Sequence, residues 1–124
     1  HALEHVDAPL EVLQELGAHL RPGGKLVFVV PSEDWRKEKR YHTDDINQHL
    51  YTWTPLILGN LFTRAGYSVD RCDLLRHRWV PKAGLLYRLL PHVVFHFLCR
   101  IWATVTGNRQ IRIVASKSPV SSSY

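Results

Sequence analysis

The stretch Leu20-Arg21-Pro22-Gly23-Gly24-Lys25-Leu26-Val27-Phe28-Val29-Val30-Pro31 decides the fold. A Pro-Gly-Gly turn feeds a short apolar run, and a proline stops it. β-branched and aromatic side chains between two sets of turn residues favour a strand over a short buried helix. Apolar residues at successive positions point to both faces of a sheet. The pattern therefore predicts a strand covered on both sides, as in an α/β layer. The residues before it read as the helix that leads in. Those after it read as chain lying over its carboxyl end, where ligands of open α/β sheets sit.

Working outward, Asp7-Ala8-Pro9 is a helix start: a capping acid, then a proline in the first turn, where its missing N–H costs little. Leu10, Leu13, Leu16 and Leu20 come next at helical spacing, and Arg21-Pro22-Gly23-Gly24 ends the helix near Leu20. Beyond the strand, Ser32 to Gln48 is polar, with acids and bases nearly in balance. That balance excludes a nucleic-acid stripe, and a connection this long suits a lid or binding loop, with room for a short helix. Thr54-Pro55 opens a second helix, with Leu58, Leu61, Phe62 and Ala65 on one face and Gly66 at its left-handed end. Tyr67 to about Leu75 reads as a strand.

Pro81 and Pro91 punctuate the next part, which predicts helices near Ala83–Leu89 and His92–Val105. Leu86, Leu90, Val94, Phe97, Ile101 and Val105 make an apolar face. Arg88, His92, His96 and Arg100 recur every four residues and predict a basic stripe on the opposite side. Gly107-Asn108 ends the helix, Gln110 to Ala115 reads as a closing strand, and Ser116 to Tyr124 reads as a disordered Ser-rich tail.

The totals are those of one globular domain: 124 residues, 45% hydrophobic, 22% charged, net charge +5. The surplus allows contact with phosphates or anionic lipid, or serves solubility alone. Cys72 and Cys99 form no Cys-x-x-Cys pair, so a cytoplasmic location is expected. The best candidate for a membrane span is interrupted by Arg88, Pro91 and Arg100. No signal peptide opens the chain, which contains no methionine and starts inside what reads as a motif. It is expected to be part of a longer protein.

Ala2-Leu3-Glu4-His5-Val6-x-x-Pro9, the leucine-rich helix, Leu20-Arg21-Pro22-Gly23-Gly24-Lys25-Leu26 and Val30-Pro31 together resemble the class I S-adenosylmethionine-dependent methyltransferases, closest to their small-molecule branch. His49-Leu50-Tyr51-x-Trp53-Thr54 and Leu61-x-x-x-Ala65-Gly66-Tyr67-x-Val69 look like that family's sixth helix and strand. The resemblance implies a partial Rossmann-like α/β sheet flanked by helices: the fifth, sixth and seventh strands near 25–30, 67–75 and 109–116, the last antiparallel between the other two. It gives residues 1–117 as the carboxyl half of a methyltransferase domain and 118–124 as tail. The family's Gly-rich turn and ribose-binding acid have no counterpart here and are expected upstream of His1. S-adenosylmethionine would then be bound mainly by upstream residues, with His1, Ala2 and Leu3 near its sulfur, and the chain alone would be inactive.

Methyl transfer needs nucleophile and methyl carbon held at attack distance, and a base where the acceptor is a hydroxyl or amine. By the resemblance His5 lies at the carboxyl end of the sheet, and His49 and Tyr51 lie where the family's substrate lid sits. His5 and His49 are therefore the candidate catalytic residues, and Tyr51 and Pro31 the candidate substrate-binding ones. The alternative for each histidine is a role in local packing or backbone bonding, and Glu4 is expected to fix the turn rather than do chemistry. No metal is required; His92 and His96 have zinc-like spacing but no third ligand at a matching position. Trp35, Trp53, Trp79 and Trp102 either line an acceptor pocket or belong to the core.

The expected acceptor is a small or carrier-linked molecule. A strand at 26–30 that has lost its upstream neighbour offers an apolar edge, which predicts self-association there or cover by the amino-terminal segment. The basic helix suggests contact with an anionic membrane surface. The second functional reading is a non-catalytic methyltransferase-like binding module that associates through that helix or that edge. A Gly-x-Gly turn after an upstream strand, with an acid further on, discriminates the two.

Overall fold

The structure is a computed structural model and describes residues 1–34 and 38–118. Trp35 and the end of the expected tail, residues 119–124, lie outside the described residues. A single 3-10 turn at Leu3–His5 leads into helix α1 (Pro9–His19), strand β1 (Lys25–Pro31), helix α2 (Pro55–Arg64) and strand β2 (Tyr67–Leu75). Two further helices, α3 (Ala83–Leu89) and α4 (His92–Thr106), precede strand β3 (Gln110–Lys117).

The three strands form one sheet in the order β1-β3-β2, with β3 antiparallel to both neighbours. This is the topology the resemblance implied: the last strand inserts between the first two. Phe28 lies opposite Ile113 and Val30 opposite Ile111, while Cys72 faces Ile113 from the other side. The register slips between Val69 and Arg71, a bulge that sets Asp70 apart. Asp70 then meets Lys25 at 3.1 Å across the sheet. The Ser116 hydroxyl and the Lys25 ammonium hold its carboxyl below the usual range.

One face of this sheet carries the core. Leu13 of α1 and Leu58 and Phe62 of α2 pack on Val30, Ile111, Ile113, Ala115 and Tyr67, with Leu3 and Trp53 closing the cluster. Phe28 meets Phe62 edge to face at a centroid distance of 5.6 Å. β3 shows why it became the central strand: its odd positions Ile111, Ile113 and Ala115 are fully buried, and the alternate ones are half-covered.

The expectation of burial on both faces of β1 is corrected. Val27 is 61% exposed. α1 and α2 cover one face only, and the other carries Val27, Arg71, Arg112 and Asp73, with ion pairs from Asp73 to both arginines. An unbroken apolar run is compatible with two covered faces but does not by itself supply the second cover.

Local signals differ in how well they hold. Thr54 caps α2 by accepting from the Ile57 N–H at 3.2 Å, and Pro55 takes the first turn, as expected. Gly66 and Gly107 adopt φ of 95° and 68°, the left-handed conformation a helix end needs. Asp7 does not cap α1; the preceding position is Ala8, with no side-chain bond, and Asp7 instead offers its carbonyl to the Tyr51 hydroxyl at 2.8 Å. Between Ser32 and Thr54 no helix forms among the described residues. The expected tail starts later than Ser116: Ser116 and Lys117 belong to β3, and Lys117 Nζ donates to the Leu20 carbonyl at 2.9 Å.

α4 also turns differently from its sequence pattern. Phe95, Cys99 and Ala103 are buried, whereas Val94, Phe97, Ile101 and Val105 of the expected core stripe are exposed. The expected basic stripe splits. His92 and His96 turn toward His77 and Tyr87, while Arg100 lies among the exposed apolar residues. The physical reason is the partner: α4 packs on Trp79 and Tyr87 through Phe95, so aromatic contacts rather than the longest apolar stripe choose its inner face.

Candidate functional site

The amino-terminal 3-10 turn anchors the site. Leu3 points into the core and is 2% exposed, which fixes the turn; the next residue, Glu4, is buried as well. The Glu4 carbonyl accepts from the N–H groups of Leu50 and Tyr51 at 2.9 and 3.3 Å. It thereby ties the long polar connection down onto the turn. Trp53 continues this attachment: it is buried, its carbonyl accepts from Glu33 N–H at 2.9 Å, and it bridges Ser32 in parallel fashion. Tyr51 stacks on Trp53 at 5.7 Å. Asp45 accepts from Asn47 N–H and Gln48 N–H, each at 3.1 Å, and Gln48 takes a φ of 46°. This turn delivers His49 to the cluster.

The result is a meeting of residues far apart in sequence. The rings of His5 and His49 stand edge to face with centroids 4.8 Å apart. Glu4 lies beside them, with Oε1 3.8 Å from His5 Nε2 and 3.6 Å from His1 Nδ1. Both Glu4 oxygens are buried without a hydrogen bond. A carboxylate removed from water with neither oxygen bonded is costly, so the arrangement calls for a proton or a cation nearby. Glu4, His5 and His49 present ligand atoms all within 4.8 Å of one another, and among the described residues they are the one such group of three.

Each expected site residue can be placed. The two candidate catalytic histidines, His5 and His49, come together. Tyr51 is beside them, bonded to the Asp7 carbonyl. Pro31 ends β1 half-buried opposite Gln110. His1 and Ala2 are exposed, while the Leu3 side chain is spent on the core. The His1 backbone nitrogen donates to the Val29 carbonyl at 2.9 Å, so the amino-terminal segment runs beside β1.

Glu4 is the residue sequence reasoning undervalued. Its backbone does fix the turn, but its side chain faces the histidines. The spacing His1-x-x-Glu4-His5 carried that signal. His92 and His96 approach each other at 2.9 Å through Nε2, with His77 adding a contact to His96 at 3.4 Å. They form a histidine chain at α4, not part of this cluster. Of the tryptophans, Trp53 is core, Trp102 is half-buried and Trp79 is 65% exposed.

With the geometry in hand, a comparison with family models finds that a methyltransferase domain matches residues 1–71. The match contains the 3-10 turn, α1, β1, the loop carrying His49 and Tyr51, α2 and the first half of β2. The chain belongs to this methyltransferase family. The mixed α/β architecture, with three strands in one antiparallel sheet, is consistent with a partial class I methyltransferase fold. No curated protein matches the chain. The matched segment stops at Arg71, so α3, α4 and β3 lie beyond it.

Proposed function

We propose that this methyltransferase chain supplies the acceptor side of S-adenosylmethionine-dependent methyl transfer, with His5 and His49 as the groups that orient and deprotonate a small or carrier-linked acceptor. The observation that carries the reading is the convergence of His5, His49 and the buried Glu4 carboxylate at the attachment point of the long loop. Histidine suits proton removal near neutral pH. The Glu4 carboxylate lies 3.8 Å from His5 Nε2, on the same side of the turn as the two rings.

His1 and Ala2 offer exposed surface beside Val29, which fits one wall of a cofactor site. Among the described residues no Gly-rich turn follows a strand's carboxyl end; Gly23 and Gly24 precede β1 instead. The cofactor supplies the methyl group when bound. The residues of this chain position the acceptor, hold its proton and, through Tyr51 and Trp53, keep the loop closed over the turn.

The test is S-adenosylmethionine binding by calorimetry. The 124-residue chain is expected to bind weakly, and a longer product that begins upstream of His1 to bind tightly and transfer labelled methyl groups. Tight binding by the short chain would misplace the cofactor site; a longer product that binds none would favour the non-catalytic binding module.

A second reading of the same cluster rests on the unbonded Glu4 oxygens. Glu4, His5 and His49 would hold a divalent transition cation that orients an acceptor oxygen. Zinc titration separates the two: the base reading predicts no stoichiometric binding, and the cation reading predicts binding abolished by Glu4→Gln.

A further inference from the structure

The charges of this chain are segregated. Residues 1–73 hold every Asp and Glu of these 124 residues, whereas residues 74–124 hold eight Lys and Arg and no acid. α3 and α4 sit in that acid-free part. Their outward surface is apolar: Val93, Phe97 and Val105 of α4 are 79%, 61% and 74% exposed, and Leu85, Leu89, Val94 and Ile101 are exposed with them. At helical spacing the α4 residues make one continuous stripe. Such a stripe on a globular domain marks a binding surface.

Basic side chains stand within and beside the stripe. Arg100 lines a shallow depression with Phe97, Ile101, Thr104 and Val105. It also joins Arg76, Leu74, Leu75 and His77 around an adjacent one. Lys82 precedes α3, and Arg88 is exposed near its end. Trp79, an amphipathic ring of the kind found at membrane interfaces, is exposed in the same acid-free segment. No described helix is long and apolar enough to cross a bilayer.

We propose that α3 and α4 dock on an anionic bilayer surface, the apolar stripe entering the headgroup region and Arg76, Lys82, Arg88 and Arg100 meeting lipid phosphates. An apolar stripe flanked by cations and free of acids has the chemistry of a helix lying in the interface plane. A protein partner would need an acidic rim around an apolar groove; a bilayer supplies both without further specificity. The docking also bears on the acceptor. β2 ends at Leu75 and β1 ends at Pro31, both opposite Gln110, so α3 and α4 leave and rejoin the sheet at its Pro31 end. This end also carries the Trp53 attachment of the loop, which suits an acceptor borne by the membrane. The docking itself does not depend on the methyl-transfer reading.

The experiment is co-sedimentation of the 124-residue chain with phosphatidylcholine vesicles, with and without phosphatidylglycerol, followed also by Trp fluorescence. Binding to the anionic vesicles only, with a blue shift and loss at high salt, is the expected result. Arg100→Ala should lower the partition about fivefold, and Phe97→Asp by more than about tenfold. Circular dichroism of both variants verifies the fold; because Phe97 and Arg100 are exposed, both should keep the native spectrum. Chain left in the supernatant with both vesicle types overturns the proposal, as does equal binding to neutral vesicles. A concentration-dependent dimer abolished by Phe97→Asp, without vesicle binding, would assign the stripe to a second copy and overturn it too.

Discussion

The imidazole of His5 meets that of His49 edge to face, 4.8 Å between centroids, although one precedes α1 and the other ends the polar loop. The pair is held by backbone bonds to Glu4 on one side and the Asp45 turn on the other. Replacing either histidine by alanine in a catalytically competent product should lower turnover by about a hundredfold or more, the usual worth of a positioned acid–base group. On the proposed reading the two histidines act as one unit, so the double substitution should cost little more than the worse single one. Radiolabel transfer under saturating cofactor measures it. Unchanged rates for both single variants would remove the pair from the chemistry.

Glu4 should show the opposite balance of stability and activity. A buried carboxylate with neither oxygen bonded is a cost to the fold. Glu4→Gln keeps the shape and removes the charge. Its melting temperature is expected to equal or exceed that of the parent, while turnover falls. Differential scanning calorimetry and the transfer assay together decide; a large loss of stability would mean that the carboxylate is structural.

The reading of the fold from sequence succeeded where local chemistry and tertiary context agree. Pro55 with Thr54 before it, and Gly66 and Gly107 at helix ends, state their backbone needs directly. The strand order became legible through the family resemblance, not through periodicity. The failures share a cause. Val27 lies in an apolar run, yet what faces it is decided by distant chain. Phe97 and Ile101 fall on the longest stripe of α4, yet Trp79 and Tyr87 draw Phe95 inward instead. The cluster was half-legible: both histidines stand out, but the burial of Glu4 depends on Leu3 anchoring the turn and on Leu50 and Tyr51 bonding across it.

The histidine chain at α4 makes that region sensitive to acid. His96 is half-buried against Phe95, and its pKa is lowered by desolvation first and by His92 and His77 next. A histidine whose folded pKa lies below its unfolded one favours the folded state fully above the unfolded pKa. That contribution is lost as pH falls from about 6.5 toward the lowered value. Packing of α4 should therefore loosen across this window. Near-ultraviolet circular dichroism of Trp79 and Trp102 between pH 8 and 5 follows it. His96→Gln should flatten the profile; an unaltered profile in that variant would locate the sensitivity elsewhere.

Among the described residues β1 has a neighbouring strand on one side only, and the amino-terminal segment meets its other side at Val29. The expected consequence is self-association of the chain through the edge near Leu26 to Phe28. Sedimentation velocity over a range of concentrations should show a dimer. Val27→Lys, at an exposed position, should shift it to monomer. Monomer at all concentrations would show the edge to be adequately protected.

Gly17 and Tyr67 should be coupled. The Tyr67 hydroxyl donates to the Leu13 carbonyl at 2.7 Å, and burial raises the Tyr67 pKa. A Cβ on Gly17 would meet that hydroxyl at 2.9 Å and the ring carbon bearing it at 3.5 Å. The first contact is too short and the second is ordinary, so the hydroxyl alone forbids a side chain in this last turn of α1. Gly17→Ala gains about 0.5–1 kcal/mol of helix preference. It must then displace a buried ring and weaken its hydrogen bond, at about 1–3 kcal/mol, so the net effect is destabilising. Tyr67→Phe alone should cost about 1 kcal/mol through the lost bond. In that background the obstruction is gone, and Gly17→Ala should become stabilising. The sign reversal in a urea-melt cycle of the four proteins is the diagnostic, with a coupling of about 1–3 kcal/mol. Additive effects would mean that α1 moves to accommodate the methyl group and that the hydroxyl does not set the distance between α1 and β2.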